Sequence, residues 1–116
     1  MDYTVVEKEV EYIPEFDGNA ERDESERIVF VLQYLTVGQR SKCYRVVFDR
    51  RAEPQLETDN ELLVKYGVKE IRGLSYGGEA ITTPEQLIAS RGPFDGLLTE
   101  TAGKLFLMNR RADSGN

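Results

Sequence analysis

The sequence predicts a small α+β domain, in which a two- or three-stranded antiparallel sheet from the N-terminal half packs against two or three helices from the C-terminal half. Runs of β-branched and aromatic residues fall early in the chain, and apolar residues at helical spacing follow later. Because strands come first and helices after, alternating βαβ units are not expected. The 116 residues, 40% hydrophobic and 31% charged, are typical of one globular domain, so residues 1–116 are expected to form a single unit.

Two strands make up the core of the predicted sheet. Residues 4–13 are rich in β-branched residues and partly alternate, and Pro14 ends that strand. Residues 28–35 are continuously apolar, which indicates burial on both faces or a partner over one face. We expect the two runs to pair as an antiparallel hairpin. The polar residues between them, which include a turn sequence, predict a mobile loop near residues 17–27.

The middle of the chain allows two interpretations. Thr36 can cap a short helix that reaches Tyr44. Residues 45–49 either continue that helix or form a strand, and their β-branched residues favour the strand. Residues 50–57, with their arginines, proline and acids, predict a linker within the domain. The structure of residues 44–58 is therefore left open.

An amphipathic helix is predicted over residues 59–71, where apolar residues recur at helical spacing. Either Thr58 or Asp59 starts it, and a capping box from Thr58 to Glu61 is possible. Gly67 lies inside this helix and weakens it by about 1 kcal/mol relative to alanine.

A small hairpin and a short helix follow. Residues 74–81 predict the hairpin, which turns at two adjacent glycines. Thr83 before Pro84 is a typical N-cap followed by a typical first helical residue. The helix that they start is expected to end near residues 90–92.

The last predicted helix opens at Pro93 and carries one apolar stripe. Gly96 and Gly103 interrupt it and allow another backbone to approach closely. Residues 109–116 are polar and are expected to form a frayed tail. The residues of the stripe are Phe94, Leu97, Leu98, Ala102, Leu105 and Met108.

Composition excludes several classes of catalytic site. The chain has no histidine, no tryptophan and a single cysteine, Cys43. A Ser-His-Asp triad, a Cys-His pair and any histidine-ligated zinc or iron site are therefore excluded. A disulfide within the chain is impossible, which fits a reducing cytoplasm. The sequence has no apolar run long enough to cross a membrane and no visible signal peptide, so no membrane association is expected.

The charge balance argues against a non-specific nucleic-acid binder. Fifteen basic and 21 acidic residues give a net charge of −6, whereas such binders carry a surplus of basic residues. A local basic patch is still possible, although a solvated face balanced by acids elsewhere is the favoured explanation. The residues of this patch are Arg40, Lys42, Arg45, Arg50 and Arg51.

Two groups of residues could form a catalytic or metal-binding site, but a simpler explanation is favoured for each. Basic neighbours can activate Cys43 as a nucleophile, but a buried, inert cysteine is the more common case. The acidic residues between 21 and 26 lack the spacing of a calcium loop, and arginines stand among them. We therefore predict a protein without catalytic, cofactor-binding or metal-binding residues, and without a cofactor.

The last helix carries the most informative signal for function. Residues 105–108 are apolar on all sides, which is more than one buried face requires. Part of this surface is expected to face a protein partner, although the sequence leaves open whether the stripe is core or interface. The hypothetical partner-binding residues are Phe94, Leu97, Leu98, Leu105, Phe106 and Met108.

Several segments, taken in order, resemble small proteins encoded in the tail modules of long-tailed bacteriophages and prophages, of the tail assembly chaperone type. The resemblance extends over residues 10–107 and includes the closing helix. The other segments that carry it are Ile13–Asn19, Glu26–Phe30, Thr36–Arg40, Val68–Leu74 and Gly78–Ile88.

The resemblance implies a non-enzymatic assembly factor in the cytoplasm of a bacterial host. Such proteins bind the long, largely helical tape measure protein and keep it soluble until the tail tube forms. The expected partner is thus the tape measure or another tail protein, and a homo-oligomer is possible. Alternatives are a structural tail or head-tail component that forms rings and stays in the virion, an unrelated small interaction domain, or a small enzyme that uses carboxylates or Cys43.

Overall fold

The computed structural model describes the backbone of residues 1–3 and 8–113, and the side chains within those ranges as far as Arg110. Short 3₁₀ segments cover Phe16–Glu21 and Glu24–Glu26. The described residues also form seven strands and four α-helices, in the following order: β1 (Glu9–Tyr12), β2 (Val29–Gln33), α1 (Val37–Cys43), β3 (Tyr44–Phe48), β4 (Pro54–Thr58), α2 (Asn60–Gly67), β5 (Val68–Arg72), β6 (Ser75–Tyr76), β7 (Glu79–Ala80), α3 (Pro84–Ala89) and α4 (Asp95–Asp113).

The predicted α+β class is confirmed, with β2 at the centre of a three-stranded antiparallel sheet. β1 and β5 pair with β2 on either side, and Phe30 lies opposite both Tyr12 and Ile71. Three successive residues of β2 are buried, as its continuous apolar run predicts. The predicted pairing of the two early strands is therefore confirmed. Residues 4–7 of the predicted first strand lie outside the described residues.

The helix predicted over residues 59–71 is wrong in its last part, because that part belongs to β5, the third strand of the sheet. The helix α2 ends at Gly67, and the chain continues directly into β5. A Cβ atom built on Gly67 would lie 2.4 Å from Leu105 Cδ2, so α4 packs against the bare backbone at this point. The following residues bury β-branched Val68 and Ile71 against β2. The apolar residues predicted for one helix are therefore divided between α2, which holds Leu63 and Val64, and β5, which holds Val68 and Ile71.

The residues expected to form a polar loop wind around one buried side chain. Asn19 donates from Nδ2 to the carbonyl oxygens of Pro14 (2.9 Å) and Ile28 (3.0 Å), and its Oδ1 accepts from the Ile28 N–H (2.7 Å). Asp17 (φ 52°) begins the left-handed turn that lets the chain fold back on itself. The mobility expected near residues 17–27 stays a prediction.

The predicted starts of α1, α2 and α3 agree with the structure, whereas α4 begins at Asp95, two residues after the predicted start at Pro93. Thr36 and Thr83 each form a capping box with the glutamine three residues later. Of the two candidate caps for α2, Asp59 is the one that accepts a hydrogen bond, from the Leu62 N–H at 3.1 Å. Short-range sequence signals therefore fix where the helices begin.

Residues 44–58 form a β-hairpin, which we call the arm. β3 confirms the strand interpretation of residues 45–49, whereas the linker predicted over 50–57 is wrong in its second half, which belongs to β4. The strands pair from Tyr44 with Thr58 to Phe48 with Pro54.

The helix α4 extends beyond the start of the predicted tail. Its backbone stays helical to Asp113, whereas fraying was expected from residue 109. Asn109 is fully buried; its Oδ1 accepts from the Leu35 N–H at 2.9 Å and its Nδ2 donates to the Leu105 carbonyl oxygen at 2.8 Å. These bonds hold the last turns of α4 against the end of β2. No described helix has the length and apolar character that a membrane span requires.

Candidate functional site

The six residues predicted for partner binding divide into two groups in the structure. Leu97, Leu105 and Met108 belong to the core, with at most 6% of their surface exposed. Half of the residues predicted for partner binding are therefore core residues. The other three residues are half-buried and reach the surface at its edge: Phe94, Leu98 and Phe106.

Two of these half-buried residues, Phe94 and Leu98, line a small concavity between α3 and the start of α4. It adjoins a second concavity between α2 and α3, with which it shares Glu61 and Ile88, and we call the two together the groove. The apolar floor of the groove also includes Leu62 and Ile88, which are half-buried too. Tyr76 holds the Phe94 ring in an edge-to-face contact, with 5.9 Å between the ring centroids. The floor is therefore apolar, partly exposed and held by neighbouring packing.

The rim of the groove is acidic. Four exposed carboxylates line it and only one exposed ammonium group, that of Lys65. An apolar floor with a negative rim is complementary to an apolar stripe flanked by basic residues. The acidic residues of the rim are Asp59, Glu61, Glu85 and Asp95.

The arm carries a second apolar surface, which the sequence reasoning missed. Side chains directly opposite in an antiparallel pair share a face, so the register places Val46 beside Leu56 and Phe48 beside Pro54. Val46, Phe48 and Leu56 are 60%, 69% and 53% exposed. The available signal was the β-branched and aromatic run of β3, whereas the sequence of β4 contains only one β-branched residue, Thr58.

The base of the arm joins the body through α1, α2 and α4. The Asp59 N–H donates to the Cys43 carbonyl oxygen at 2.8 Å and closes the hairpin. Tyr44 meets Phe106 edge-to-face, with 5.7 Å between the ring centroids. Tyr44, Leu56 and Phe106 line one cavity. Phe106, the third half-buried residue of the predicted set, therefore extends the apolar face of the arm.

The structure gives no support to Cys43 as a nucleophile. Its side chain is 2% exposed. Burial, and in addition the Asp59 carboxylate, raise the pKa of the Cys43 thiol above its usual value. A thiol with a raised pKa stays protonated at neutral pH, whereas the thiolate is the reactive form. In the parts of the chain that the structure describes, no three histidine, cysteine or acidic side chains converge as metal ligands would.

A carboxylate on α4 anchors the end of β1. Glu100 Oε2 accepts from the Tyr12 hydroxyl at 2.5 Å and from the Glu15 N–H at 2.7 Å. Burial and the Glu100 carboxylate raise the pKa of Tyr12. The folded protein therefore favours the neutral phenol, which donates to the carboxylate.

This anchor predicts a loss of stability in alkaline solution. Because the pKa of Tyr12 is higher in the folded state than the value of about 10 for an unfolded chain, its contribution is complete below pH 10 and is lost as the pH rises above that value. We expect the free energy of unfolding to fall as the pH rises above about 10, and to fall less steeply in Tyr12→Phe. Urea titrations at several pH values measure this slope. Tyr3→Phe, at a 72% exposed position, is the control, and an equal slope in wild type and Tyr12→Phe would contradict the prediction.

Comparison of the chain with protein-family models, with curated proteins and with solved structures finds no match.

Proposed function

We propose that this chain is a non-enzymatic assembly factor of a long-tailed bacteriophage or prophage, and that it acts as a chaperone in the cytoplasm of the bacterial host. The segments between residues 10 and 107 that resemble tail assembly chaperones suggest this role. The observation that carries the proposal is the acid-rimmed apolar groove between α2, α3 and α4. Its shape and charge suit a helical protein partner.

The proposed occupant is an amphipathic helix of a long helical protein of the tape measure kind. An apolar stripe with i, i+3, i+4 spacing would lie on Leu62, Ile88 and Leu98, and lysine or arginine residues beside the stripe would meet the acidic rim. Such a partner exposes apolar stripes before assembly. Covering them with a protein of net charge −6 keeps the complex soluble through charge repulsion.

The test is co-expression with the long helical protein encoded beside this chain, followed by affinity pull-down. We expect the partner to become soluble and to co-purify with the wild type, and Leu98→Asp to abolish co-purification. Leu107→Asp is the matched control, because nine residues further along α4 place Leu107 on the opposite side of the helix, where it is 51% exposed. Loss of binding in both variants, or in neither, would contradict the groove as the binding site.

A second pair of substitutions separates binding from folding. Glu61 and Glu85 are exposed on the rim, so Glu61→Gln with Glu85→Gln leaves the apolar packing unchanged. We expect this variant to bind more weakly than the wild type at low salt, and the difference to shrink as salt is added. Equal binding at low salt would show that the acidic rim plays no part.

The arm favours a second candidate function, that of a structural tail or head-tail component that remains in the virion. A protruding hairpin with an exposed apolar face suits permanent contacts between subunits better than transient binding. Mass spectrometry of purified particles distinguishes the two candidates. A stoichiometric amount of this chain in mature particles supports the structural component, and its absence supports the chaperone.

A further inference from the structure

The arm is a sheet of two strands, and each strand has one open edge. Among the strands that the structure describes, β3 pairs with β4 alone, and β4 pairs with β3 alone. A hairpin of two strands is marginally stable in water, and an open strand edge is a template on which another strand can pair. The arm therefore has two edges at which a further strand can be added.

The hydrogen-bond pattern shows which backbone groups of β3 point toward its open edge. The Asp49 N–H donates to the Glu53 carbonyl oxygen at 3.1 Å, so these two residues form a hydrogen-bonded pair. Hydrogen-bonded and non-hydrogen-bonded pairs alternate along antiparallel strands. Val46 and Phe48 therefore belong to non-hydrogen-bonded pairs. Their N–H and C=O groups point away from β4, toward the open edge of β3.

The two edges of the arm differ in their capacity to pair. Pro54 lies opposite Phe48 in a non-hydrogen-bonded pair, so the N–H that it lacks is one that would point outward from β4. Proline at such a position blocks further pairing. β3 contains no proline or glycine, and four of its five residues are β-branched or aromatic. The edge of β3 is therefore the one suited to a further strand.

If that strand is β3 of a second copy, antiparallel around a two-fold axis, most registers meet an obstacle. An axis at Arg45 would place two guanidinium groups directly opposite each other. An axis at Phe48 would leave only residues 47–49 to pair before the turn. An axis at Val46 would require the Tyr44 N–H, which already donates to a carbonyl oxygen in the last turn of α1.

An axis at Val47 avoids all three obstacles. Val46 of each copy then lies opposite Phe48 of the other, and the two residues exchange N–H···O=C hydrogen bonds between their outward-pointing groups. These side chains are 60% and 69% exposed in one copy, so each gains an apolar cross-strand neighbour. Arg45 lies opposite Asp49 of the second copy, and the symmetry repeats this ion pair.

The charges of the arm are compatible with this self-pairing. Residues 44–58 carry three basic and three acidic side chains, so two arms have no net repulsion. Arg45 donates to Glu57 Oε2 from Nε at 3.1 Å and from Nη2 at 3.0 Å. The structure gives the Arg45 Nη1 no partner among the described residues, and this group faces Asp49 of the second copy in the proposed register. Charge complementarity across the axis thus favours a second copy as the occupant.

We infer that two copies of this chain join through their arms, with β3 beside β3 around a two-fold axis at Val47. The result is one sheet of four strands in the order β4-β3-β3-β4. This isologous contact closes at two copies, and the outer edges of the sheet are the two β4 strands that Pro54 protects. The inference does not depend on the proposed function, because the groove between α2, α3 and α4 is a separate surface.

The first test is sedimentation velocity of the full chain up to about 1 mM, because so short a contact buries less than the roughly 1,000 Å² of a stable interface. Val46→Pro removes an outward N–H and leaves the ladder to β4 intact. We expect it to raise the dissociation constant of the dimer at least about tenfold, since one hydrogen bond is lost per copy. Leu56→Pro is the matched control, because Leu56 lies directly opposite Val46 and its N–H points outward from β4. A monomeric wild type, or two variants that associate equally, would overturn the inference.

The second test uses a thiol at the axis and keeps the inference testable if Val46→Pro fails to fold. Two Val47 residues in a non-hydrogen-bonded pair have Cα atoms about 4.5 Å apart, which is within disulfide range. Oxidation of Val47→Cys with diamide should give a covalent dimer on a non-reducing gel. Gln55→Cys, directly opposite on β4, is the control and should stay monomeric, and Cys43 is too buried to interfere. No cross-link in Val47→Cys, or an equal one in Gln55→Cys, would overturn the two-fold arrangement.

Discussion

Gly73→Ala is expected to lower the free energy of unfolding by about 3 kcal/mol, from left-handed backbone strain and steric overlap together. Gly73 follows β5 with φ +76°, a conformation that alanine adopts only with strain. A Cβ atom at this position would also lie 2.1 Å from the carbonyl oxygen of Arg27. Because that atom belongs to the backbone leading into β2, relief of the overlap requires the sheet itself to shift.

Gly77→Ala is the matched control for this substitution. Gly77 has φ +62°, but no heavy atom lies within 4 Å of its Cβ position. We expect it to lose about 1 kcal/mol, from backbone strain alone. Urea denaturation of the two variants measures both losses. Equal losses would show that the close approach to Arg27 is relieved without cost.

Asn19→Ala is expected to lower the free energy of unfolding by about 3 kcal/mol, because it leaves buried backbone groups without partners. The side chain is fully buried and makes three hydrogen bonds to the backbone at Pro14 and Ile28. Alanine cannot replace any of them. The loss reaches β2, since Ile28 directly precedes that strand.

Asn60→Ala is the control for Asn19. Asn60 is half-buried at the start of α2, and its Oδ1 accepts from the Thr58 hydroxyl at 3.4 Å. We expect this variant to lie within about 0.5 kcal/mol of the wild type, as for most surface positions. Thermal and urea unfolding compare the two. A loss at Asn19 no larger than at Asn60 would mean that water replaces the missing hydrogen bonds.

The elements that the sequence predicts well depend on neighbours in the chain. Thr36 and Thr83 bind backbone groups three residues away, so their capping signals are local. The central strand β2 is buried on successive residues, and its apolar run shows this directly. Where the determinant of structure lies within a few residues, the prediction and the structure agree.

The elements that the sequence misses depend on distant contacts. The end of α2 at Gly67 is set by Leu105, which lies 38 positions further along the chain. Three apolar residues of the arm, Val46, Phe48 and Leu56, are more than half exposed, so no buried face reveals the hairpin in the sequence. Local spacing therefore fails to separate α2 from β5, or to distinguish the arm from a linker.

The candidate site was predictable only in part for the same reason. The apolar stripe of α4 identifies residues that avoid water, but it does not tell which neighbour covers each of them. The packing of α4 against α2 places Leu97 and Leu105 in the core and leaves Leu98 at a groove formed by three helices. A surface that several helices form together leaves no recognisable pattern in the sequence of any single helix.

The hydrogen bond between Asn109 and Leu35 affects the order in which the fold can form during synthesis. The Leu35 N–H, just after β2, finds its acceptor 74 residues later, near the last turns of α4. One of the two strands that pair with β2 is β5, which is synthesised later. During synthesis β2 has β1 on one edge, but its other edge lacks β5 and the Leu35 N–H lacks its acceptor until most of the chain has left the ribosome. A nascent chain arrested before α4 would expose apolar surface of β2 and would be a substrate for cellular chaperones.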